Sequence, residues 1–359
     1  MYNYLDTNFW SIIGVLLALI ALFYALKANR KSKVTMDKIL NDTDAIKKAL
    51  EPRALEIVKS KNIKPEINRD TELKQEDKDI IQEYDKINEN PKTDDELLLK
   101  GFALHKQEKY DLAERYYLQA IEKGNVGAMN NIGHLYYDQG KYGLAKKYWL
   151  QASEKGNLEA TCSLGGFYNE QGNTDLSEKY YLQASEKGHA NSMNNLGYLY
   201  YNQRNFDLAQ KYYLLAIEKG YVPAMNNLGH LYDMQGKKEL AEKYYLLAIT
   251  NRHISAMYNL GLLYNNQGKF DLAKKYFLQA IENGDVDAMY DLGLLYYNEG
   301  KFDLAIKYWE PAAKKGHVNA MNNIGLWYYN QGKYDLAKNY WILAAKKGST
   351  EAIDNLRLL

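Results

Sequence analysis

The chain has 359 residues, with 46 lysines and arginines against 45 aspartates and glutamates, a net charge of +1. That balance excludes the basic footprint of a phosphate binder, so no nucleic-acid partner is expected. Cys162 is the sole cysteine, which excludes a disulfide scaffold and agrees with a reducing compartment.

Residues 1–8 form a short N-terminal tail whose one charged side chain is Asp6. Residues 9–26 are apolar apart from Ser11 and Gly14, with Phe9, Trp10, Leu16, Leu19, Phe23 and Tyr24 among them. A helix of this length spans about 27 Å, against about 30 Å of bilayer hydrocarbon. The segment is therefore read as one transmembrane helix, with Trp10 and Tyr24 at its interfaces. Lys27, Arg30, Lys31 and Lys33 follow at once. The positive-inside bias then puts the N-terminus outside and everything after residue 26 on the cytosolic side. A cleaved signal peptide is the rival reading; it wants a basic residue before the apolar run and a small-x-small site after it, and neither is clear. A buried helix is the third.

Residues 27–92 read as a charged, partly helical spacer. Ile39, Leu40, Ile46 and Leu50, then Ile80, Ile81, Tyr84 and Ile87, suggest two short amphipathic helices either side of a loop at Pro65. Too few heptads exist for a coiled coil.

From residue 93 one 32-residue unit recurs eight times. Gly101, Gly133, Gly165, Gly197, Gly229, Gly261, Gly293 and Gly325 mark the register. A second row, Gly140, Gly172, Gly236, Gly268, Gly300 and Gly332, is interrupted by Glu108 and Arg204. A third, Gly124, Gly156, Gly188, Gly220, Gly284, Gly316 and Gly348, is interrupted by Arg252. Apolar residues step by three and four on both sides of each turn glycine, as at Met225, Leu228 and Tyr232, then Ala241, Tyr245 and Ala248. Each unit thus reads as a helical hairpin, and a period of this length signals a solenoid. The mid-helix glycines cost roughly 1 kcal/mol each in propensity, so close approach of the partner helix is expected there. Small residues (Ala113, Ala145, Ser177, Ala209) and large rings (Tyr117, Trp149, Tyr181, Tyr213) recur at fixed offsets on the second helix, a jigsaw pattern. Thr93 to Glu96 has the spacing of a capping box. At the far end, residues 351–356 repeat the first half of the unit, which reads as a lone closing helix.

The stretch from Asn194 to Gln203, continuing through Phe206 to Ala209, resembles the tetratricopeptide repeat. The turn at Glu218-Lys219-Gly220, followed by Ala224 to Gly229, is similar to a Sel-one-like repeat. The unit is shorter than either family's usual one. The resemblance implies a superhelical array, which with the repeat count gives an all-α protein: an α-α superhelical solenoid of eight 32-residue helical hairpins plus a capping helix over 93–359; the apolar run adds one transmembrane helix before it. The resemblance also implies protein–protein scaffolding, with an inner groove lined by the first helix of each hairpin.

On that geometry the lining falls in three rows. The first holds Asn130, Cys162, Asn194, Asn226, Tyr258, Tyr290 and Asn322; the second His134, Gly166, Tyr198, His230, Leu262, Leu294 and Leu326. The third holds Tyr137, Asn169, Tyr201, Asp233, Asn265, Tyr297 and Tyr329. An amide and aromatic lining can hydrogen-bond a peptide backbone and stack on side chains. Retention of these residues by simple duplication is the alternative. On the second helices, Lys179, Lys211, Lys243, Lys275 and Lys307 each stand four residues after an acid, which predicts self-neutralising pairs.

No Gly-rich phosphate loop, metal-ligand spacing or nucleophile–base arrangement is present. No catalytic residue, metal, cofactor or small-molecule substrate is expected. The sequence points to a membrane-tethered scaffold holding a protein or peptide partner in its groove, or, failing that orientation, to a lumenal or secreted repeat protein in quality control or surface interactions.

Overall fold

The computed structural model describes residues 91–359. The expected anchor at 9–26 and all but the last two residues of the spacer lie outside them. Among the described residues no helix is long and apolar enough to cross a membrane.

Seventeen helices occupy this region, and they pair as expected. The hairpins are α1 (Asp94–Lys106) with α2 (Tyr110–Glu122), α3 (Val126–Asp138) with α4 (Tyr142–Glu154), α5 (Leu158–Glu170) with α6 (Thr174–Glu186), and α7 (Ala190–Asn202) with α8 (Phe206–Glu218). They continue with α9 (Pro223–Met234) and α10 (Lys238–Thr250), α11 (Ser255–Asn266) and α12 (Phe270–Glu282), α13 (Val286–Asn298) and α14 (Phe302–Lys314), and α15 (Val318–Asn330) and α16 (Tyr334–Lys346). The closing helix α17 (Thr350–Leu356) covers α16.

The period has a local cause. Helices of 13 residues alternate with three-residue connectors, and each connector closes one helix and opens the next. At the α3–α4 turn Gly140 N donates to Tyr137 O at 2.8 Å and Lys141 N to Tyr136 O at 2.7 Å, a Schellman motif. Gly140 sits at φ +72°, where a side chain would strain the backbone. The α2–α3 turn repeats the motif around Gly124, and its last residue, Asn125, caps α3 through Ala128 N at 2.9 Å. Asn157, Asp285 and Ser349 cap their helices likewise. The capping box at Thr93 forms as the spacing predicts. In the row of Asn125 the fourth and fifth connectors carry Tyr221 and His253, and α9 and α11 start one residue later, after Val222 and Ile254, which offer no side-chain cap.

Glu108, Arg204 and Arg252, the three interruptions of the glycine rows, adopt φ of 60°, 60° and 65°. The turn geometry therefore overrides the residue type.

Inside each hairpin the mid-helix glycine meets a ring 16 residues on. A Cβ on Gly133 would lie 2.4 Å from Trp149 Nε1, and one on Gly293 would lie 2.4 Å from Trp309. The alanine row is fully buried beside these rings. Close approach is thus by ring over glycine rather than by helix backbone alone. Where the ring is an indole, its N–H donates to a carbonyl of the facing helix: Trp149 to Asn130 O, Trp309 to Tyr290 O and Trp341 to Asn322 O, at 2.9–3.2 Å. Consecutive first helices also approach one another in several repeats, whereas no pair of consecutive second helices comes as close. The first helices therefore occupy the tighter side of the stack.

Candidate functional site

The first-helix face is where the sequence placed its candidates, and the three rows have different fates. The row before the glycine is taken up by contacts between repeats. Asn227 Nδ2 donates to Asn194 Oδ1 at 2.9 Å, Asn259 to Asn226 at 2.9 Å and Asn355 to Asn322 at 3.0 Å. Tyr258 donates to Asp291 at 2.8 Å, and Asn323 reaches Tyr290 OH at 3.4 Å. Burial and this carboxylate push the Tyr258 phenol well up; burial also raises Asp291. The pairing residue is always 33 positions on, one repeat plus one. Asn130 is fully buried and its amide has no hydrogen-bond partner, because position 163 holds serine, whose Oγ turns to His134 Nε2 at 3.1 Å. Asn130 therefore cannot line a groove, and its row serves cohesion of the stack.

The row after the glycine is the accessible one. Tyr198 is 51% exposed, Leu326 39%, and His230 is exposed beside Tyr201. Gly166, Leu262 and Leu294 are half-buried, and His134 is buried edge-on to Trp149 with ring centroids 5.1 Å apart.

The third row is half-buried except at Asn169, which is exposed. Tyr137, Tyr297 and Tyr329 each wedge between the first aromatic of the next helix (Tyr142, Phe302, Tyr334) and the seam indole (Trp149, Trp309, Trp341). Tyr201 packs on Phe206. One edge of each ring stays accessible, and the other supports the turn.

A cavity of about 210 Å³ opens on this face between the second and fourth hairpins. Its cause is legible in the rows: Gly166 stands where other copies carry Tyr198, Leu262 or Leu294, and a Cβ there would find only Tyr181 OH, at 3.5 Å. Trp149, Phe167, Tyr181 and Tyr198 supply aromatic walls, and Glu159 and Glu170 supply the charge. Glu170 accepts the Tyr137 hydroxyl. Glu159 accepts from His189 Nε2 at 2.9 Å. Burial opposes a charged His189, but its contacts with Cys162 and Glu159 outweigh that and push it up to about 10. Cys162, also on the wall, receives Asn195 Nδ2 at 3.5 Å. This grouping was not foreseen, since it joins residues from three hairpins. The breaks at Gly166 and Ser163 were the available signal.

The second-helix lysines differ from expectation. The predicted acid–lysine pairs do not form; Lys179, Lys211, Lys243, Lys275 and Lys307 instead lie 5.3–5.9 Å over the tyrosine that follows each. The acids stay in the first turn, where the helix dipole favours them.

The tetratricopeptide repeat profile matches residues 130–191, 194–253, 258–309 and 290–352, and the Sel1 repeat profile matches 96–125. Among curated proteins no sequence matches significantly. The fold is similar to that of c5321, a protective antigen of uropathogenic Escherichia coli strains displaying an SLR fold, with a TM-score of 0.50 and 20% identity over 79% of this chain and 72% of that one. A Sel1 repeat protein from Oxalobacter formigenes is 23% identical over 61% of this chain and 99% of that one, with a TM-score of 0.49. The tetratricopeptide match spans more than half the chain, and the protein belongs to that family of helical-hairpin repeats, with a Sel1-type first hairpin.

Proposed function

We propose that the protein is a membrane-tethered scaffold that captures a protein or peptide partner along the first-helix face of its repeats, on the cytosolic side. Repeat proteins of this class generally serve as protein–protein interaction scaffolds and are usually non-enzymatic. The observation that carries the reading is the division of labour among the rows. Cohesion uses the amide row and the glycine seam, while Tyr198, His230 and Leu326 remain exposed along one face. Large side chains on a rigid face are suited to anchoring a partner.

The tether rests on the apolar run at 9–26 and the cations from Lys27 to Lys33. Proximity labelling from the intact chain tests the face. Tyr198→Ala with His230→Ala and Leu326→Ala should remove a specific set of labelled proteins while the melting temperature stays within a few degrees. An unchanged set refutes the face. Tyr137 and Tyr201 are poor probes, since both rings also support turns. Alkaline carbonate should leave the chain in the membrane, and protease added to sealed vesicles should digest the repeats; full protection would support the lumenal alternative.

A further inference from the structure

The cavity at the third hairpin has the chemistry of a site for a cation. Trp149, Phe167, Tyr181 and Tyr198 are among its lining residues, which include two carboxylates and no lysine or arginine; the one cation beside it, His189, is paired with Glu159. A ring face attracts an ammonium or guanidinium within about 6 Å of its centroid, and a carboxylate adds charge-assisted hydrogen bonds. His189 fixes Glu159 in place through one oxygen, and Tyr137 does the same for Glu170. At about 210 Å³ the space falls below the roughly 300–1,000 Å³ of small-molecule sites. It suits one long side chain.

A second cavity, of about 230 Å³ beside Leu294, lacks this combination. It too is lined by two carboxylates, Asp291 and Glu299, but Glu299 is held by two lysines, Lys274 and Lys301, and Phe270 is the single aromatic wall.

We propose that the third-hairpin cavity is an anchor for the charged end of an arginine or lysine side chain presented by the partner. This deepens the reading of the first-helix face and rests on it. The occupant is then an extended segment that lays one basic residue between the second and fourth hairpins.

Cys162 lines the cavity and is the sole cysteine of the chain, so its alkylation reports occupancy without other signal. The full chain is treated with iodoacetamide in the presence of a capped Gly-Ser-Gly-Arg-Gly-Ser-Gly peptide, its lysine counterpart, or its neutral citrulline counterpart. Saturable protection by the arginine and lysine peptides, with the citrulline peptide at least about tenfold weaker, is expected; that ratio corresponds to one lost charge-assisted contact. Glu170→Gln should weaken protection about tenfold. Gly166→Leu should abolish binding in calorimetry without loss of fold, since Leu262, Leu294 and Leu326 occupy the same row. Equal protection by citrulline, no protection by any peptide, or full binding in Gly166→Leu would overturn the proposal. Charge-dependent protection supports it even if the labelled partners ignore Tyr198, in which case the wider face reading falls and the cavity stands.

Discussion

In the third hairpin Gly165 lies under Tyr181, and in the seventh Gly293 lies under Trp309, with a virtual Cβ 2.5 and 2.4 Å from the ring. One position later the two part company. Gly166 borders a cavity lined by several aromatic side chains and two carboxylates, whereas Leu294 borders one with a single aromatic wall, where Glu299 is held by two lysines. The same seam thus supports opposite surfaces. The lesson is that cohesion and recognition sit in adjacent rows of one helix, so duplication can fix the first while the second drifts.

Breaking the seam should hurt wherever it is done. Trp309→Ala removes a ring that is 1% exposed together with its bond to Tyr290 O. A loss of about 3–5 kcal/mol in chemical denaturation is expected, from the lost transfer energy and the void left behind. Tyr181→Ala in the third hairpin should cost a comparable amount; a much smaller loss there would show that the cavity has already loosened that repeat.

Alkali should weaken the whole array. Burial first, and neighbouring ionisable groups second, push the phenols of Tyr200, Tyr213, Tyr245 and Tyr264 well above their ordinary value. The folded chain keeps these protons while the unfolded chain loses them near pH 10. Stability is therefore complete below about pH 10 and falls as pH rises past it. Denaturation midpoints that stay level between about pH 9 and 11 would contradict the burial.

Smaller changes address the ladder between repeats. Asn227→Ala leaves Asn194 Oδ1 without its donor and should cost about 1–2 kcal/mol. Ser163→Asn supplies a donor to Asn130, 33 positions back, at the expense of the bond to His134. The net gain should be below about 1 kcal/mol. At the turns, Arg204→Gly relieves a left-handed backbone at φ 60° and should raise stability by about 1 kcal/mol; a fall in the melting temperature would count against that turn geometry.

Much of this was legible beforehand because its causes are local. Turn glycines, the Thr93 capping box and the three- and four-residue apolar steps act within one hairpin, and the predicted hairpins and closing helix follow from them. The ladder was not legible, because a partner one repeat plus one residue away depends on how repeats rotate against each other. Asn130, Asn194 and Asn226 therefore looked like a free lining. The lysine row misled for a related reason: each lysine lies over a tyrosine ring beside it rather than reaching the acid four residues back. The cavity was half legible. Gly166 shows as a break in its row and the carboxylates and Cys162 share α5 with it, but Trp149 and Tyr198 reach the cavity only once three hairpins are stacked.

The neighbouring glycines of α5 give the most direct test of separate rows. Gly165→Ala puts a Cβ 2.5 Å from Tyr181, whereas Gly166→Ala meets nothing closer than 3.5 Å and gains helix propensity. Thermal denaturation of the two variants should move in opposite directions, down by about 1–3 kcal/mol for Gly165→Ala and up by as much as about 1 kcal/mol for Gly166→Ala. Shifts of the same sign and size would contradict the account.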